Sequence, residues 1–459
     1  MRHRACIAMI IQALLTLVAK PVQLAAQQTS YQFIDLGTFG GPTSYLSGGA
    51  VGNLVLSNSG IVGGYADTST QDPYGSPNCY NEDCFVSNTF RWQNGTMSNL
   101  GAIANSSSMN GISQSGLIAG ASENGQIDPL TGLPEVEAVL WSDQLGKLGT
   151  LPGGYESVAT AVNDQGRVVG FAHNSVSDPF FGTQIRTFLW DQQNGMTDLG
   201  TLGGPDSPPV GTQKFCCANI LINQSGQVAG SSFTNSTPNP VTGLPTTDPF
   251  LWTSPGPMQD LGTLGGNLGF PVCMNNRGQV VGQSNLAGDI LFHPFLWDPK
   301  QGMRDLGTLG GSNGSASWIN DVGDVVGWAT AENGFAHAFL YRSATPTARG
   351  ANRLIDLGVL SGYFSSFAYS INIKRQVVGC LPNTCSTAFL WENGQMSDLN
   401  DLIPPNSSLH LGVAFNINDS GWIVGLGLPP RCTNYDMCGH GFLLIPTEAQ
   451  RAVPSKSRQ

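Results

Sequence analysis

The stretch "DLGTLGG" occupies residues 198–204 and recurs unchanged at residues 260–266 and 305–311. Related copies are centred on five further leucines, which are Leu36, Leu100, Leu148, Leu357 and Leu399. A segment that returns every few tens of residues indicates a structural repeat.

A second segment recurs with the same frequency. It reads apolar residue, Asn, two variable residues, Gly and then a run close to "QVVG", as in "VNDQGRVVG" and "INDVGDVVG". Its eight copies end at glycines spaced 45 to 60 residues apart, which are Gly63, Gly120, Gly170, Gly230, Gly282, Gly327, Gly379 and Gly425. Asn followed by Gly predicts a tight hairpin turn, in which Gly takes a positive φ. We expect Asp164, Asp321 and Asp419 to cap such turns, and Arg375, which replaces the glycine, to distort its turn.

A third segment is a short run that ends in an aromatic residue, such as "TFRW", "PFLW" or "AFLW", and six of the nine tryptophans end one of its copies. β-branched and aromatic runs between Asn and Gly turns, without helical periodicity, indicate a β repeat array. Each unit predicts four strands, which in the third unit are 157–162, 167–172, 186–190 and 196–202. Leu199 and Leu202 are expected to fill the gap between adjacent sheets.

The order of the segments predicts a closed ring. The chain begins with a fourth-strand segment at 31–39 and ends on a third strand at 441–446. The N-terminal segment can therefore complete the last sheet. We predict an all-β fold, a β-propeller of eight four-stranded blades closed by an N-terminal strand. An open solenoid is the alternative, and it is disfavoured because neither end resembles a polar capping repeat.

The combination of "INDVGDVVG", "HAFLY" and "DLGTLGG" resembles the HAF-repeat family of extracellular bacterial proteins. His-Ala-Phe itself occurs at 337–339, with variants at 293–295 and 440–442, and the resemblance spans residues 31–445. It implies secretion and repetition, but it implies no reaction and no catalytic residue.

The ends of the chain predict its compartment. Residues 1–26 have the charged start, apolar run and small residues of a secretory signal peptide, residues 27–446 form the single repeat domain, and residues 447–459 form a polar tail. Removal of Arg2, Arg4 and Lys20 lowers the formal net charge from −11 to −14. An acidic chain argues against nucleic acid as a partner, and no later segment is apolar enough to span a membrane. We predict a secreted or extracellular protein, with the periplasm or the cell surface as other destinations.

The cysteines form three close pairs between second and third strands, namely Cys79–Cys84, Cys380–Cys385 and Cys432–Cys438. In an exported protein these pairs predict disulfides, and a zinc site is the less favoured alternative. Cys216, Cys217 and Cys273 remain, and one of the first two is expected to bond Cys273. The pairing of these three stays open.

No segment predicts catalysis, a cofactor or a metal. The glycine-rich repeats do not open a helix with Lys-Ser or Lys-Thr, so they are not phosphate loops. The first position of the third strand varies from unit to unit and includes His293, His337 and His440, which is typical of a solvated position rather than a metal site.

The long connections on one face are the predicted binding surface, for an extracellular glycan or a protein partner. Five aromatic residues in these connections are candidates to stack on a ligand, and they are Tyr74, Tyr80, Phe180, Phe181 and Tyr435. The alternative function is an extracellular polysaccharide hydrolase or lyase on the same face, which would use carboxylates such as Asp128, Glu135 or Asp178. The spacing of these carboxylates shows no paired-acid motif.

Overall fold

The computed structural model describes residues 29–46, 52–128, 132–207, 220–343, 354–382 and 385–447. The predicted signal peptide and the tail beyond residue 447 lie outside these ranges. The strands fall into eight units along the chain, and each unit is named here by its number.

Units 1 to 4 follow the first strand of the chain, β1 (Ser30–Asp35). Unit 1 contains β2 (Gly40–Tyr45), β3 (Val62–Gln71), β4 (Phe85–Gln93) and β5 (Thr96–Gly101). Unit 2 contains β6 (Ser107–Ile112), β7 (Ile118–Ile127), β8 (Pro134–Trp141) and β9 (Leu145–Gly149). Unit 3 contains β10 (Ser157–Val162), β11 (Val168–Asp178), β12 (Gly182–Asp191) and β13 (Gly195–Asp198). Unit 4 contains β14 (Leu221–Ile222), β15 (Val228–Phe233), β16 (Thr247–Trp252) and β17 (Gln259–Asp260).

Units 5 to 8 complete the chain. Unit 5 contains β18 (Gly265–Met274), β19 (Val280–Leu286), β20 (Phe292–Asp298) and β21 (Gly302–Asp305). Unit 6 contains β22 (Gly310–Ile319), β23 (Val325–Ala331), β24 (Ala336–Tyr341) and β25 (Leu354–Asp356). Unit 7 contains β26 (Phe367–Ile371), β27 (Val377–Leu381), β28 (Thr387–Glu392) and β29 (Gln395–Asp398), and a 3₁₀ helix follows at Leu399–Leu402. Unit 8 contains β30 (His410–Ile417), β31 (Ile423–Leu428), the short helix α1 (Tyr435–Cys438) and β32 (His440–Thr447).

Within each unit the strands pair antiparallel in chain order, from an inner first strand to an outer fourth strand. The predicted β-propeller is confirmed. Units 4 and 5 share one parallel pair, Thr247 with Leu268, so the described strands form six four-stranded sheets and one eight-stranded sheet. The count of eight blades stays a prediction.

The predicted closure is confirmed by the pairing of the two ends of the chain. β1 pairs antiparallel with β32 from Ser30 opposite Thr447 to Asp35 opposite Phe442. The outer strand of unit 8 is therefore the N-terminal strand. This pairing removes the free sheet edge that an open array would expose.

The strand bounds predicted for unit 3 need two corrections. The second and third strands run on to Asp178 and start from Gly182, because they continue as one long hairpin beyond the predicted ends. The fourth strand ends at Asp198 and not at residue 202, because the Asp-Leu-Gly segment is a turn. Asp198 Oδ1 accepts the Gly200 N–H at 2.8 Å, and Thr201 Oγ1 donates to the Gly204 carbonyl at 2.8 Å.

The core lies between neighbouring sheets. Leu199 and Leu202 pack among buried residues of units 3 and 4, as predicted. In units 3 to 8 the closing glycine of the second strand lies opposite a phenylalanine of the third strand, as Gly170 lies opposite the fully buried Phe188. A Cβ on Gly170 would lie 2.0 Å from the Val158 carbonyl oxygen and 2.9 Å from the Phe188 ring. The ring therefore covers the backbone that the glycine leaves bare.

The asparagine of the turn segment joins neighbouring units. Asn320 Oδ1 accepts the N–H groups of Val322, Gly323 and Asp324 in its own turn, and Asn320 Nδ2 donates to the Asn372 carbonyl of the next unit at 3.1 Å. The same bond to the next unit repeats around the ring, from Asn163, Asn223, Asn275, Asn320, Asn372 and Asn418. The last of these bonds reaches Ser57 of unit 1, so the chain of bonds runs across the closure.

The predicted turn-capping aspartates have a different partner. Asp164, Asp321 and Asp419 each accept a backbone N–H from the preceding unit, at 2.7, 2.9 and 3.1 Å respectively, and not from their own turn. Their role is structural, as expected, but it joins two units.

The turn at Arg375 is not distorted, which corrects the prediction. Arg375 takes φ +63°, and its N–H donates to the Asn372 carbonyl at 3.1 Å as in the other turns. Its Nε lies 2.7 Å from Oδ2 of Asp324, a carboxylate of the preceding unit that is 1% exposed. The ion pair across the seam offsets the conformational strain of a non-glycine residue at positive φ.

A serine near the start of the first strand makes a further bond between units. Ser157 Oγ accepts the Ala138 N–H of unit 2 at 2.9 Å and donates to the Gly149 carbonyl at 2.7 Å. At the seam between units 4 and 5, Pro249 takes the position of Ala138 and has no N–H that needs a partner. Gly269 correspondingly takes the position of Ser157. A Cβ on Gly269 would lie 2.7 Å from Pro249 Cδ. The two residues therefore change together.

The coupling is tested at the seam between units 2 and 3, where Ala138 and Ser157 can be replaced by the proline and glycine found at the seam between units 4 and 5. Ser157→Gly leaves a buried N–H without an acceptor and is expected to lower the free energy of unfolding by about 1–3 kcal/mol. Ala138→Pro alone places a proline ring against Ser157. The double variant reproduces the Pro249–Gly269 pair, so in urea unfolding it should lose at least about 1 kcal/mol less than the sum of the single variants. Additive losses would contradict the coupling.

Candidate binding face

The connections from second to third strands and from fourth strands to the next unit lie on one side of the ring, which we call the loop face. The hairpins β3–β4, β7–β8 and β11–β12 extend furthest, because their strands stay paired as far as Gln71 with Phe85, Ile127 with Pro134 and Asp178 with Gly182. Their tips begin with Asp-Pro, at 72–73, 128–129 and 178–179. Asp-Pro is a sequence signal that favours the start of a turn.

Four of the five predicted rim aromatics are held by neighbouring residues. Phe180 and Phe181 pack on the buried Phe233 of unit 4, with ring centroids 5.8 and 6.3 Å away. Tyr80 pairs its hydroxyl with Ser108 Oγ at 2.7 Å, and the Tyr435 hydroxyl donates to the Cys385 carbonyl at 2.8 Å. These contacts anchor the connections to a neighbouring unit, which is the next unit for Tyr80, Phe180 and Phe181 and the preceding unit for Tyr435.

The fifth candidate, Tyr74, is half-buried, and its backbone N–H donates to Asp72 Oδ1 at 2.9 Å. Burial raises the pKa of Tyr435 to about 12 and that of Tyr80 to about 12, so both phenols stay neutral. Ligand binding by the five residues stays a prediction.

Two other aromatic side chains are exposed on the loop face. Phe335 is 45% exposed and Phe364 is 67% exposed, and their rings stack with centroids 5.3 Å apart at the seam between units 6 and 7. Sequence reasoning missed this pair, because its members are 29 residues apart (364 − 335) and belong to none of the repeated segments. A stacked pair of exposed rings is a ready surface for the apolar face of a sugar or a side chain.

An open groove of about 520 Å³ lies at the next seam, between units 7 and 8. Its walls are formed by two Pro-Pro pairs, at 404–405 and 429–430, and its lining includes His410 and Arg431 but no carboxylate. A volume of this size is in the range of ligand sites. The absence of acidic residues from the lining is notable in so acidic a protein.

Arg431 is held in a conformation that favours glycine. It has φ +77°, and Cys432 N–H donates to the Pro429 carbonyl at 3.0 Å, so Arg431 occupies the third position of a type II turn after Pro430. The disulfide Cys432–Cys438 ties the end of this turn to α1. The guanidinium is exposed and has no ion-pair partner within the described ranges.

The three predicted disulfides are present, with Cys79–Cys84, Cys380–Cys385 and Cys432–Cys438 all on the loop face. Cys273 is a buried thiol whose pKa is raised by burial to about 12, so it is not a ready nucleophile. Its predicted partners, Cys216 and Cys217, lie outside the described residues.

The histidines of the third strands pair with aspartates of the fourth strands. His293 Nδ1 lies 2.8 Å from Asp305, His337 Nδ1 lies 2.9 Å from Asp356, and His440 Nδ1 lies 3.0 Å from Asp35. Each aspartate belongs to an Asp-Leu-Gly segment. In the part of the chain that the structure describes, no group of three or more His, Cys, Asp or Glu is arranged to hold a metal ion.

Carboxylates collect at the seams of the long hairpins. Glu156 of unit 3 lies within electrostatic reach of Asp128 and Glu135 in the hairpin of unit 2, and burial together with these charges raises the pKa of Glu156 to about 7. Asp178 lies instead against Asp206, one seam further along. The three carboxylates considered for catalysis are therefore divided between two seams.

The centre of the opposite face contains a cavity of about 210 Å³, lined by the turn segments of all eight units. Its polar side chains include the asparagines and aspartates that already bond to neighbouring units. These groups are engaged in holding the ring together. No helix in the described ranges is long and apolar enough to cross a membrane.

No family model matches the sequence, and no curated protein matches it significantly. Solved structures resemble the fold at low sequence identity. They include the β-propeller domain of the trilobed protease from Pyrococcus furiosus, with TM-score 0.45, 9% identity and coverage of 78% of this chain and 96% of that one. They also include an acylaminoacyl peptidase from Pyrococcus horikoshii, with TM-score 0.40, 10% identity and coverage of 85% and 59%. A gluconolactonase from Xanthomonas campestris has TM-score 0.27, 8% identity and coverage of 90% and 100%.

The strain at Arg431 predicts an unusual effect on stability. A non-glycine residue at positive φ costs about 1–3 kcal/mol, whereas glycine adds only about 0.5–1 kcal/mol of unfolded-state entropy. Arg431→Gly should therefore keep or raise the free energy of unfolding, by up to about 1 kcal/mol. The matched control is Arg277→Gly, at an exposed turn residue that is not among those at positive φ, and it should lower stability. Urea denaturation measures both, and a larger loss for Arg431→Gly would contradict this account.

Proposed function

We propose that the protein is a secreted recognition module that binds an acidic extracellular polysaccharide on the loop face of units 6 to 8. The observation that carries the proposal is the stacked, exposed pair Phe335 and Phe364. The apolar face of a pyranose packs on such rings. The long loops of units 1 to 4, by contrast, use most of their aromatic residues as internal anchors.

The groove at the neighbouring seam supports the choice of an acidic ligand. Its lining offers Arg431 and His410 without any carboxylate. A guanidinium binds a carboxylate through two parallel hydrogen bonds, and uronic acid residues carry that group at regular intervals. A turn fixed by Pro430 and a disulfide holds the backbone of Arg431 in place, so that binding has to order only its side chain.

Secretion and membership of the HAF-repeat family belong to the same proposal. Three disulfides support an oxidising compartment. The paired histidine and aspartate of units 5, 6 and 8 support the family resemblance, because they explain why His-Ala-Phe and Asp-Leu-Gly occur together.

Binding to a polyuronate oligosaccharide and to a neutral oligosaccharide of equal length tests the proposal. Phe335→Ala with Phe364→Ala should weaken both by about tenfold or more, which corresponds to about 1.4 kcal/mol. Arg431→Ala should weaken only the polyuronate, by about tenfold to a hundredfold. Ile290→Ala, at a side chain that is 79% exposed, and Arg277→Ala are the controls. Unchanged affinity in the phenylalanine variant, measured by calorimetry, would reject the site, and stronger binding of acidic peptides would assign it to a protein partner.

A hydrolase or lyase is the second candidate function, and Glu156 favours it. A carboxyl group with a pKa near 7 is suited to general acid catalysis, and Asp128 and Glu135 lie near enough to interact with it. If the seam is catalytic, wild-type protein should depolymerise a polysaccharide, and Glu156→Gln should lower kcat by about a hundredfold or more. Asp143→Asn, at an exposed carboxylate, should have no effect. Absence of turnover across a panel of acidic and neutral polysaccharides would remove this candidate.

A further inference from the structure

Two buried carboxyl groups meet at the seam between units 3 and 4. Asp178, at the tip of hairpin β11–β12, is 5% exposed, and Asp206, between β13 and β14, is 0% exposed. One oxygen of each is held by the backbone: Asp178 Oδ2 accepts the N–H groups of Phe180 and Phe181, and Asp206 Oδ1 accepts that of Ile185 at 2.8 Å.

The remaining oxygens, Asp178 Oδ1 and Asp206 Oδ2, are buried without a donor in the described part of the chain. Phe180 and Phe181, whose N–H groups bind Asp178, pack on Phe233, and the Phe233 N–H donates to the Asp206 carbonyl at 2.9 Å. This arrangement brings the two carboxyl groups together, and a hydrogen bond between them contributes to the raised pKa of Asp206. Two ionised carboxylates have only acceptors, so they cannot form this bond. A single shared proton converts one of them into a donor and satisfies both oxygens.

The charges around the pair also balance with one proton. Arg186 on β12 is the described cation that acts on Asp206, and its Nε is buried without a partner. On the other side the pair faces β15, whose sequence VAGSSF contains no titratable group. With one proton the two aspartates carry a single negative charge opposite Arg186. Without the proton they carry two, and one of these is buried and uncompensated.

We propose that Asp178 and Asp206 form a proton-dependent clasp that holds the tip of hairpin β11–β12 against unit 4. The clasp keeps Phe180 and Phe181 packed on Phe233, because their N–H groups bind the same Asp178 side chain. Loss of the shared proton separates the two carboxylates, releases the tip and exposes both rings on the loop face. This device is independent of the glycan site proposed for units 6 to 8.

The direction of the pH dependence follows from where the proton is held. Burial, opposed by the Ile185 N–H and reinforced by Asp178, raises the pKa of Asp206 from its ordinary 3.8 to about 7. Between these values the folded protein holds a proton that the unfolded chain releases. The contribution of the clasp is therefore complete below about pH 4, falls as the pH rises and is lost above about pH 7.

Hydrogen–deuterium exchange of full-length mature protein tests the clasp. In Asp206→Asn the amide oxygen can still accept the Ile185 N–H, and the amide NH₂ donates to Asp178 at any pH. We compare exchange rates in residues 178–185 between wild type and variant at the same pH, which cancels the intrinsic pH effect. The exchange rate of wild type divided by that of Asp206→Asn should be near one at pH 5. It should rise to about ten or more at pH 8, as expected for the loss of one buried hydrogen bond to a charged group in wild type. Asp143→Asn should leave the ratio at one.

Two results would overturn the clasp. One is a ratio that does not change between pH 5 and pH 8. The other is full protection of wild type at pH 8 on addition of millimolar calcium chloride alone, because that would show a bridging cation in place of the proton. Asp178→Asn, which supplies the amide donor from the other side, provides the same comparison if Asp206→Asn does not fold.

Discussion

The bond from a buried asparagine side chain to the main chain of the next unit is the contact on which the ring depends. In units 3 to 8 the side chain accepts N–H groups of its own turn with Oδ1 and donates across the seam with Nδ2, so one residue fixes both the turn and its contact with the next unit. Asn372 and Asn418 are 2% and 4% exposed. Loss of such a side chain would leave buried polar groups in two units at once.

The other bonds between units also pair buried polar groups across the seams, in a chain that has few charged residues. Only 11% of the residues are charged, so the seams are held mainly by neutral donors and acceptors. Ser157 accepts the Ala138 N–H, which points beyond the end of the fourth strand of unit 2. At the position of Ala138, unit 4 has Pro249, which has no N–H. Because either solution leaves no buried donor unpaired, both occur in one molecule. At the seam between units 6 and 7, an ion pair between Arg375 and Asp324 supplements these neutral bonds.

Much of the architecture could be predicted because it follows from periodicity. The order of the segments was enough to predict that β1 completes the sheet of β32, and the cysteine spacing was enough to predict three disulfides. The candidate site could not be predicted in the same way. Phe180 and Phe364 are both loop aromatics in the sequence, and they differ only because the next unit offers Phe233 to the first. Exposure depends on that tertiary partner, which no local pattern reveals.

On the loop face, units 1 to 4 and units 6 to 8 differ in charge as well as in the length of their hairpins, and this difference affects the specificity expected for a ligand. Units 1 to 4 carry long hairpins with carboxylates at their seams, such as Asp128 and Glu135 beside Glu156. Units 6 to 8 carry short connections, exposed rings and a groove without acids. The polyanionic ligand proposed above would be repelled by ionised carboxylates in units 1 to 4 and attracted by Arg431 in unit 8. Charge repulsion at the long hairpins therefore supports the placement of the proposed ligand on units 6 to 8, in addition to the exposed rings and Arg431.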